Sequence, residues 1–320
     1  MRLHLPTLLL AAVLPLTALR NDFPTRVIKF VVPHGTGGGT DLVARVLAQK
    51  MSPSLGQPIV VENRPGAGTQ TGAEYVASSP PDGHTIMLSS SSVLTIPYLR
   101  KTRFELPRDF TPIGQVGLGT FALVVNPRLP FRTLAEFIEA AKANPGKYTY
   151  GSAGMGSAGH LALELLKSKT GIELVHVPYK SSGDIAQALL SGQIDVSIDI
   201  LTIQKALIDT QKVRALATTG LARDPNLPQL PTFNETGVVP GGYHMTYWYG
   251  LFVPVRTPAA VVQRLQREFT TAMKDPEILQ RVKDFVLLPS ELGPAQFKDN
   301  VATEAAMWKK LIESNDIRGD

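Results

Sequence analysis

The chain has 320 residues, a net charge of +5 and no cysteine. Its length suffices for two domains, and 43% hydrophobic with 18% charged residues is typical of a chain that buries large cores. The absence of cysteine excludes thiol catalysis, cysteine-bound metals and disulfides. Lysines and arginines are scattered, so no basic run or aromatic-basic stripe predicts a nucleic-acid partner.

The N-terminus has the pattern of an export signal. Arg2 precedes an apolar stretch at residues 8–16, and small residues come after it. This stretch is short for a membrane span but suits the core of a signal peptide. We expect residues 1–21 to be a cleaved signal and the mature protein to begin within residues 19–22, outside the cytoplasm. An uncleaved anchor or a misassigned start is the alternative.

Strand and helix signals alternate from there on, which predicts an α/β architecture with largely parallel sheets. Strands are predicted at 27–33, 58–65, 84–90, 121–127, 147–152, 172–179, 193–199, 213–220 and 247–258. Helices are predicted at 41–52, 72–79, 133–143, 160–169, 184–191, 259–274, 276–285 and 293–314. The strands at 121–127 and 247–258 are expected to cross between two lobes, one of residues 22–124 with 248–320 and one of residues 125–247.

Two glycine-rich loops each follow a strand and precede an amphipathic helix. The first glycine loop is His34-Gly35-Thr36-Gly37-Gly38-Gly39-Thr40, and the second glycine loop is Ser152-Ala153-Gly154-Met155-Gly156-Ser157. Glycine permits close approach to a ligand, and a helix N-terminus favours negative charge. We therefore expect both loops to close on one small anion, with Asp41 capping or opening the first helix. The alternative is that each loop is only a tight turn.

Two further loop features bear on the ligand. The second glycine loop, with Gly159, matches the dinucleotide pattern G-x-G-x-x-G, but the acidic residue that would hold a ribose is absent, and Lys180 stands there. Lys180 suits a phosphate, a carboxylate or solvent. The serine loop, residues 89–92, comes after a predicted strand end, where hydroxyl groups suit an anion and one serine is expected to cap the next segment.

Catalytic constellations are missing from the sequence. It contains no G-x-S-x-G, H-E-x-x-H or G-x-x-x-x-G-K-[ST] motif. His160 and Glu164 are too few for a metal site, and His160 fits the start of a helix. Asp195 and Asp199 share one strand face, where helix capping is favoured over acid–base chemistry. The aromatic cluster near residues 243–252 is interpreted as core, with one ring available to the cleft.

Taken together, several segments resemble the Bug/TctC family of tripartite tricarboxylate transporter solute-binding proteins. They are VVPHGTGGGTDLVARVLA, GQPIVVENRPGAGTQTGAEYVA, SPPDGHTIMLSS, RDFTPIGQV, NPGKYTYGSAGMGSAGHLALELLKSKTGI, HVPYK, LLSGQIDVSID, VRALATT and LPTFNETG. The resemblance covers nearly everything from residue 24 onward. Two departures are His34, where the family usually has an aromatic residue, and Gly39, where it often has proline.

This resemblance implies a two-lobed periplasmic binding protein of the type II-like, Venus flytrap fold, with a cleft that holds a small carboxylate. It implies delivery to membrane permease subunits, no catalysis, no cofactor and no metal, and we expect a monomer. The ligand-binding residues expected on this basis are His34, Gly35, Thr36, Gly37, Gly38, Gly39, Thr40, Ser90, Ser91, Ser152, Ala153, Gly154, Met155, Gly156, Ser157, His160, Tyr179, Lys180 and Asp199.

Two alternatives to transport stay open at this point. A dinucleotide-dependent oxidoreductase would use the second glycine loop, although the missing ribose acid and the signal-like N-terminus oppose it. A sensor that passes its ligand-bound state to a receptor kinase would share the same fold. Dicarboxylates, tricarboxylates, amino acids and aromatic acids all suit such loops, so the sequence does not identify the ligand.

Overall fold

A computed structural model of the chain describes residues 23–179, 181–314 and 317. The fold is mixed α/β, as predicted. The strands are β1 Ile28–Val32, β2 Ile59–Asn63, β3 Thr85–Ser90, β4 Phe110–Val125, β5 Thr149–Ser152, β6 Val175–Pro178, β7 Val196–Ile200, β8 Arg214–Thr218, β9 Thr246–Pro254 and β10 Leu288–Pro289. The predicted export signal and Lys180 lie outside the described residues.

The helices follow the strands in the expected alternation, with short additions. They are α1 Gly39–Leu55, α2 Gln70–Ala77, α3 Ile96–Leu99, α4 Leu134–Ala143, α5 Ala158–Thr170, α6 Ser182–Ser191, α7 Leu201–Asp209, α8 Phe233–Thr236, α9 Ala259–Met273, α10 Pro276–Asp284 and α11 Pro294–Ser314. Helices α3, α7 and α8 were not predicted. Within the described residues, no helix is both long enough and apolar enough to cross a membrane.

One continuous sheet orders the strands β2-β1-β3-β9-β4-β7-β5-β6, with β8 and β10 also paired to β4. The outer neighbours are parallel: β1 with β2 and β3, and β5 with β6 and β7. All pairs that involve β4 or β9 are antiparallel. The prediction of largely parallel pairing therefore holds for the flanks and is wrong for the centre.

Strand β4 connects two parts of this sheet. Its residues from Phe110 to Thr120 pair with β9, and those from Phe121 to Val125 pair with β7 and β8. We call β1–β3, β9 and the start of β4 the first part, and β5–β8 with the end of β4 the second part. The expected lobe boundaries stay a prediction.

Strand β4 begins eleven residues before the predicted start at residue 121 because its first half is rich in glycine. Gly114 leaves room for the ring of Phe269, and Gly119 leaves room for the ring of Tyr247. Glycine is a weak strand former, so a sequence pattern underrates such a segment. Here the missing side chains let large rings lie directly against the strand.

The predicted helix at 133–143 is confirmed, together with its start. Thr133 accepts a hydrogen bond from the Glu136 N–H at 3.2 Å, which satisfies one of the free N–H groups of the first turn. Leu134, Phe137 and Ile138 are buried on one face of α4. Capping and helical spacing together fixed this element correctly.

The packing of β4 yields a stability prediction. A Cβ atom on Gly119 would lie 2.3 Å from the Tyr247 ring, so Gly119→Ala should destabilise the fold by about 1–3 kcal/mol through overpacking. Gly183→Ala, exposed in α6, is the control and should leave stability unchanged or raise it by up to about 1 kcal/mol. Urea unfolding measures both variants, and equal stabilities would contradict this account of the strand.

Candidate functional site

A cavity of about 360 Å³ lies between the two parts of the sheet, and we call it the front cavity. The first glycine loop contributes His34, Gly35, Thr36, Gly38, Gly39 and Thr40, and the serine loop contributes Ser90, Ser91 and Ser92. The crossing strands contribute Phe121, Tyr247 and Tyr249, and the second part adds Ala158 and Ile200. The structure therefore gathers eight predicted site residues and six others around one space.

The first glycine loop presents an uncapped helix N-terminus to this cavity. Gly38 is the N-cap residue of α1 and has no side chain to satisfy the first turn. The N–H groups of Gly39, Thr40 and Asp41 have no partner within the helix by its geometry. Backbone donors at the positive end of a helix dipole favour an anion.

Asp41 stabilises the first glycine loop through hydrogen bonds. Its carboxylate accepts hydrogen bonds from the Gly37 N–H at 2.9 Å and the Asn63 amide at 3.0 Å, and it pairs with Arg45. Burial opposes its ionisation, but bonds from Arg45, Gly37 and Asn63 outweigh burial and hold the pKa of Asp41 below its ordinary value. Of the two expected roles, capping or opening α1, the structure contradicts capping, because Gly38 is the N-cap residue and Asp41 lies inside the first turn.

His34 contacts the serine loop. Its Nε2 atom lies 3.3 Å from the Ser90 hydroxyl, and that hydroxyl lies 2.7 Å from the Ser92 hydroxyl. Ser90 precedes a short 3₁₀ helix, Ser91–Leu94, without a side-chain capping bond, so the expected serine cap is absent. Burial lowers the pKa of His34 to about 4, which makes the ring neutral at pH 7.

Two tyrosines of β9 form the floor of the front cavity. Tyr247 bonds to the Thr202 hydroxyl at 2.9 Å. The Tyr249 hydroxyl occupies the space that a Cβ atom on Gly39 would need, at 2.6 Å. Sequence reasoning assigned the cluster to the core with one ring available to the cleft, and the structure brings two buried rings to the cavity. The alternation in TYWYG, which puts positions 247 and 249 on one face, is the signal that identifies them.

The second glycine loop differs from the first at its helix start, because a side chain caps α5. Ser157 caps α5 by accepting from the His160 N–H, and the Gly156 N–H donates to His160 Nδ1 at 3.1 Å. The Ser152 hydroxyl donates to the Gly154 carbonyl at 3.0 Å and also contacts His176 at 2.7 Å. The two loops share a sequence pattern but differ in what they leave free.

The second glycine loop contacts helix α3 directly. Gly156, with φ of +73°, lies where a Cβ atom would be 2.2 Å from Leu99 of α3, a helix just after the serine loop. Ala158, the first residue of α5, reaches the front cavity. The second glycine loop thus packs against α3, while α5 reaches the front cavity.

Several predicted site residues do not line the front cavity. His160 is buried behind the second glycine loop, and the Tyr179 N–H donates to the Ser152 carbonyl. Those that the structure describes away from the lining are Gly37, Ser152, Ala153, Gly154, Met155, Gly156, Ser157, His160, Tyr179 and Asp199. Lys180 is outside the described residues.

The two aspartates of the β7 segment serve neighbouring backbone groups. Asp195 accepts from the Thr149 N–H at 2.8 Å, and Asp199 accepts from the Ile200 N–H and the Ser182 hydroxyl. Helix α7 has no side-chain cap, so the capping role favoured for these residues is wrong. Burial raises the pKa of Asp199 to about 6, against the opposing effect of its hydrogen bonds.

The chemistry of the front cavity is that of neutral donors. Among the described residues that line it, none is charged when His34 is neutral. Hydroxyl groups of Thr36, Thr40 and the serine loop join the backbone N–H groups of α1. In the part of the chain that the structure describes, no cluster of three His, Asp or Glu residues could hold a metal ion.

Comparison with solved structures defines the class of protein. The periplasmic binding protein BugD is 34% identical and superimposes with a TM-score of 0.80, over 93% of this chain and 100% of its own. An R. palustris protein solved with adipate is 33% identical and superimposes with a TM-score of 0.81, over 93% of this chain and 99% of its own. MatC from Rhodopseudomonas palustris, with bound malate, is 29% identical and superimposes with a TM-score of 0.78, over 91% of this chain and 100% of its own.

Residues 43–317 match the family described as tripartite tricarboxylate transporter family receptor, TctC. The chain therefore belongs to the TctC family of solute-binding proteins. This confirms the resemblance to Bug and TctC proteins that the sequence motifs indicated.

The neutral state of His34 is testable by pH titration. Because its pKa of about 4 lies below the value near 6.5 of an unfolded histidine, the unfolded chain takes up the proton first. Stability should therefore fall as pH drops from about 6.5 towards 4, and His34→Gln should flatten this dependence. NMR of the imidazole protons reads the titration directly, and a midpoint near 6.5 would contradict the assignment.

Proposed function

We propose that this protein binds a small carboxylate in the front cavity and delivers it to the membrane permease of a tripartite transporter. The observation that carries the proposal is the uncapped N-terminus of α1 facing a cavity lined by hydroxyl groups and no fixed charge. A carboxylate would satisfy donors that the protein leaves free. Export to the periplasm by residues 1–21 belongs to the same proposal.

The ligands of related structures support the choice of a carboxylate. The two R. palustris proteins were solved with adipate and with malate, both dicarboxylates. One carboxylate would meet α1 and the serine loop. The second end would face Ala158 and Ile200, where selectivity between acids is expected to lie.

The second glycine loop has a supporting role in this proposal. The N–H groups of Gly156 and His160 already have partners, as does that of Ser157, which donates to the Gly154 carbonyl. A dinucleotide phosphate would need such donors free. We infer that the loop closes over the ligand as a shaped wall, with α5 reaching the cavity through Ala158.

A ligand screen tests the proposal. Adipate, malate, citrate and a set of amino acids and aromatic acids should be compared by thermal shift. A ligand present at a hundred times its Kd stabilises the folded state by about 2.7 kcal/mol, so one class of carboxylate should raise the melting temperature clearly. Failure of every carboxylate, with binding of an uncharged solute instead, would contradict the proposal.

Glycine variants then locate the ligand. Gly37→Val and Gly154→Val should each weaken binding of the identified acid by at least about tenfold, because a branched side chain at positive φ distorts the loop. Gly146→Val is the matched control: Gly146 has φ of +69° and open space around its Cβ position, but it lies in the turn before β5. Calorimetry on the folded variants should show reduced affinity only for the two loop positions.

A further inference from the structure

A second cavity, of about 610 Å³, lies on the reverse face of the crossing strands, and we call it the rear cavity. Thr246 and Trp248 of β9 line the rear cavity, whereas Tyr247 and Tyr249 line the front cavity. Successive side chains of a strand point to opposite faces, so the two cavities share one strand pair as their common wall. Nothing in the proposed transport function uses the rear cavity.

The rear cavity has two side walls from distant segments of the chain. The segment at residues 220–225, just after β8, forms one side, and helix α11 forms the other. Its surface is largely apolar, with Leu118, Met245, Leu288 and Leu292 among its residues. Leu221 is 70% exposed and Met307 is 49% exposed at this site, an unusual exposure for large apolar side chains.

Two carboxylates, those of Asp224 and Glu304, line the rear cavity. Asp224 accepts hydrogen bonds from Thr120 and Asn226, and Glu304 accepts from Trp248 Nε1 at 2.6 Å and Trp308 Nε1 at 3.0 Å. Among the described residues, neither carboxylate forms an ion pair.

The basic groups at the rear cavity leave that negative charge uncompensated. Arg223 pairs with Glu235, outside the cavity, at 2.9 Å. Burial lowers the pKa of His244 below its ordinary value, which favours the neutral ring at pH 7. Burial raises the pKa of Glu304 against the opposing bonds from Trp248 and Trp308, so a bound cation would also favour its ionised form. The rear cavity thus combines apolar and aromatic walls with two carboxylates, whereas the front cavity is lined by neutral donors.

We propose that the rear cavity is a binding site for a small organic cation with an apolar body, such as an aromatic amine. Its ammonium group would lie beside Glu304, and its apolar body would cover Leu221 and Met307. Carboxylates and indole rings both attract a desolvated cation, and the apolar walls favour a hydrophobic body. The proposal does not depend on the identity of the front ligand.

The tryptophan content of the chain gives a direct readout. The chain has two tryptophans, Trp248 and Trp308, and both line the rear cavity. Titration with 2-phenylethylammonium should therefore change the intrinsic fluorescence saturably. 2-Phenylethanol, which keeps the ring but has no charge, and ethylammonium, which keeps the charge but has no ring, should each bind at least tenfold more weakly.

Substitutions at the carboxylate side identify the site. Glu304→Gln keeps an oxygen for an indole N–H but removes the charge, and it should weaken 2-phenylethylammonium binding about tenfold or more while leaving 2-phenylethanol within twofold. Asn300→Asp, one helical turn earlier in α11 and also lining the cavity, should strengthen binding of the cation. Glu139→Gln, exposed on α4 away from the cavity, is the matched control and should change nothing.

Several results would overturn the proposal. They are the absence of a fluorescence change with 2-phenylethylammonium, equal binding of 2-phenylethanol, and Glu304→Gln affinity equal to that of Glu139→Gln. If Glu304→Gln does not fold, Asn300→Asp decides alone: tighter binding supports a cation site, and unchanged or weaker binding refutes it.

Discussion

The antiparallel pairing of β4 with β9 is the constraint on which the rest of the structure depends. Thr120 pairs with Thr246 at the position where β4 leaves β9 and begins to pair with β7 and β8. The two strands that run between the parts of the sheet, β4 and β9, are therefore held together by their shared backbone hydrogen bonds. The glycines of β4 let aromatic rings pack directly on this ladder, which keeps the crossing narrow.

The two faces of the β4–β9 pair also carry different side-chain chemistry. Tyr247 and Tyr249 face neutral donors on the front, and Thr246 and Trp248 face carboxylates on the rear. Both parts of the sheet line the front cavity, and the rear cavity is lined by the first part, α11 and the segment that follows β8. A change in the angle between these parts would alter both cavities at once, so ligands on the two faces would be thermodynamically coupled and reciprocally so.

The two glycine loops show how similar sequences reach different physical states. Gly38 cannot cap α1, so the donors of the first turn stay available to a ligand. Ser157 caps α5, and His160 accepts from Gly156, so the N–H groups of Gly156 and His160 have partners before any ligand arrives. A ligand that accepts hydrogen bonds from the donors of α1 also gains from the positive end of the helix dipole. Affinity is thus expected to come mainly from α1, and enclosure from the second glycine loop.

Much of this fold follows from local patterns in the sequence. The alternation of strands and helices, the start of α4 at Thr133 and the first glycine loop with its serine neighbours were predictable, because capping and periodicity are local effects. The first half of β4 was not, since its glycines are explained only by distant rings such as Phe269. The partners of Asp41 and Asp199 were missed for a similar reason: Asn63 and Ser182 are separated from them in sequence.

The central claim is that one carboxylate draws the two parts of the protein together around the front cavity. Because the chain has no cysteine, spin labels can be placed cleanly at Gln49→Cys on α1 and Ser168→Cys on α5, two exposed helix positions on opposite sides of that cavity. Double electron–electron resonance should show a shorter and narrower distribution of the distance between the two spin labels when the identified acid is added. An unchanged distribution at saturating ligand would contradict the claim.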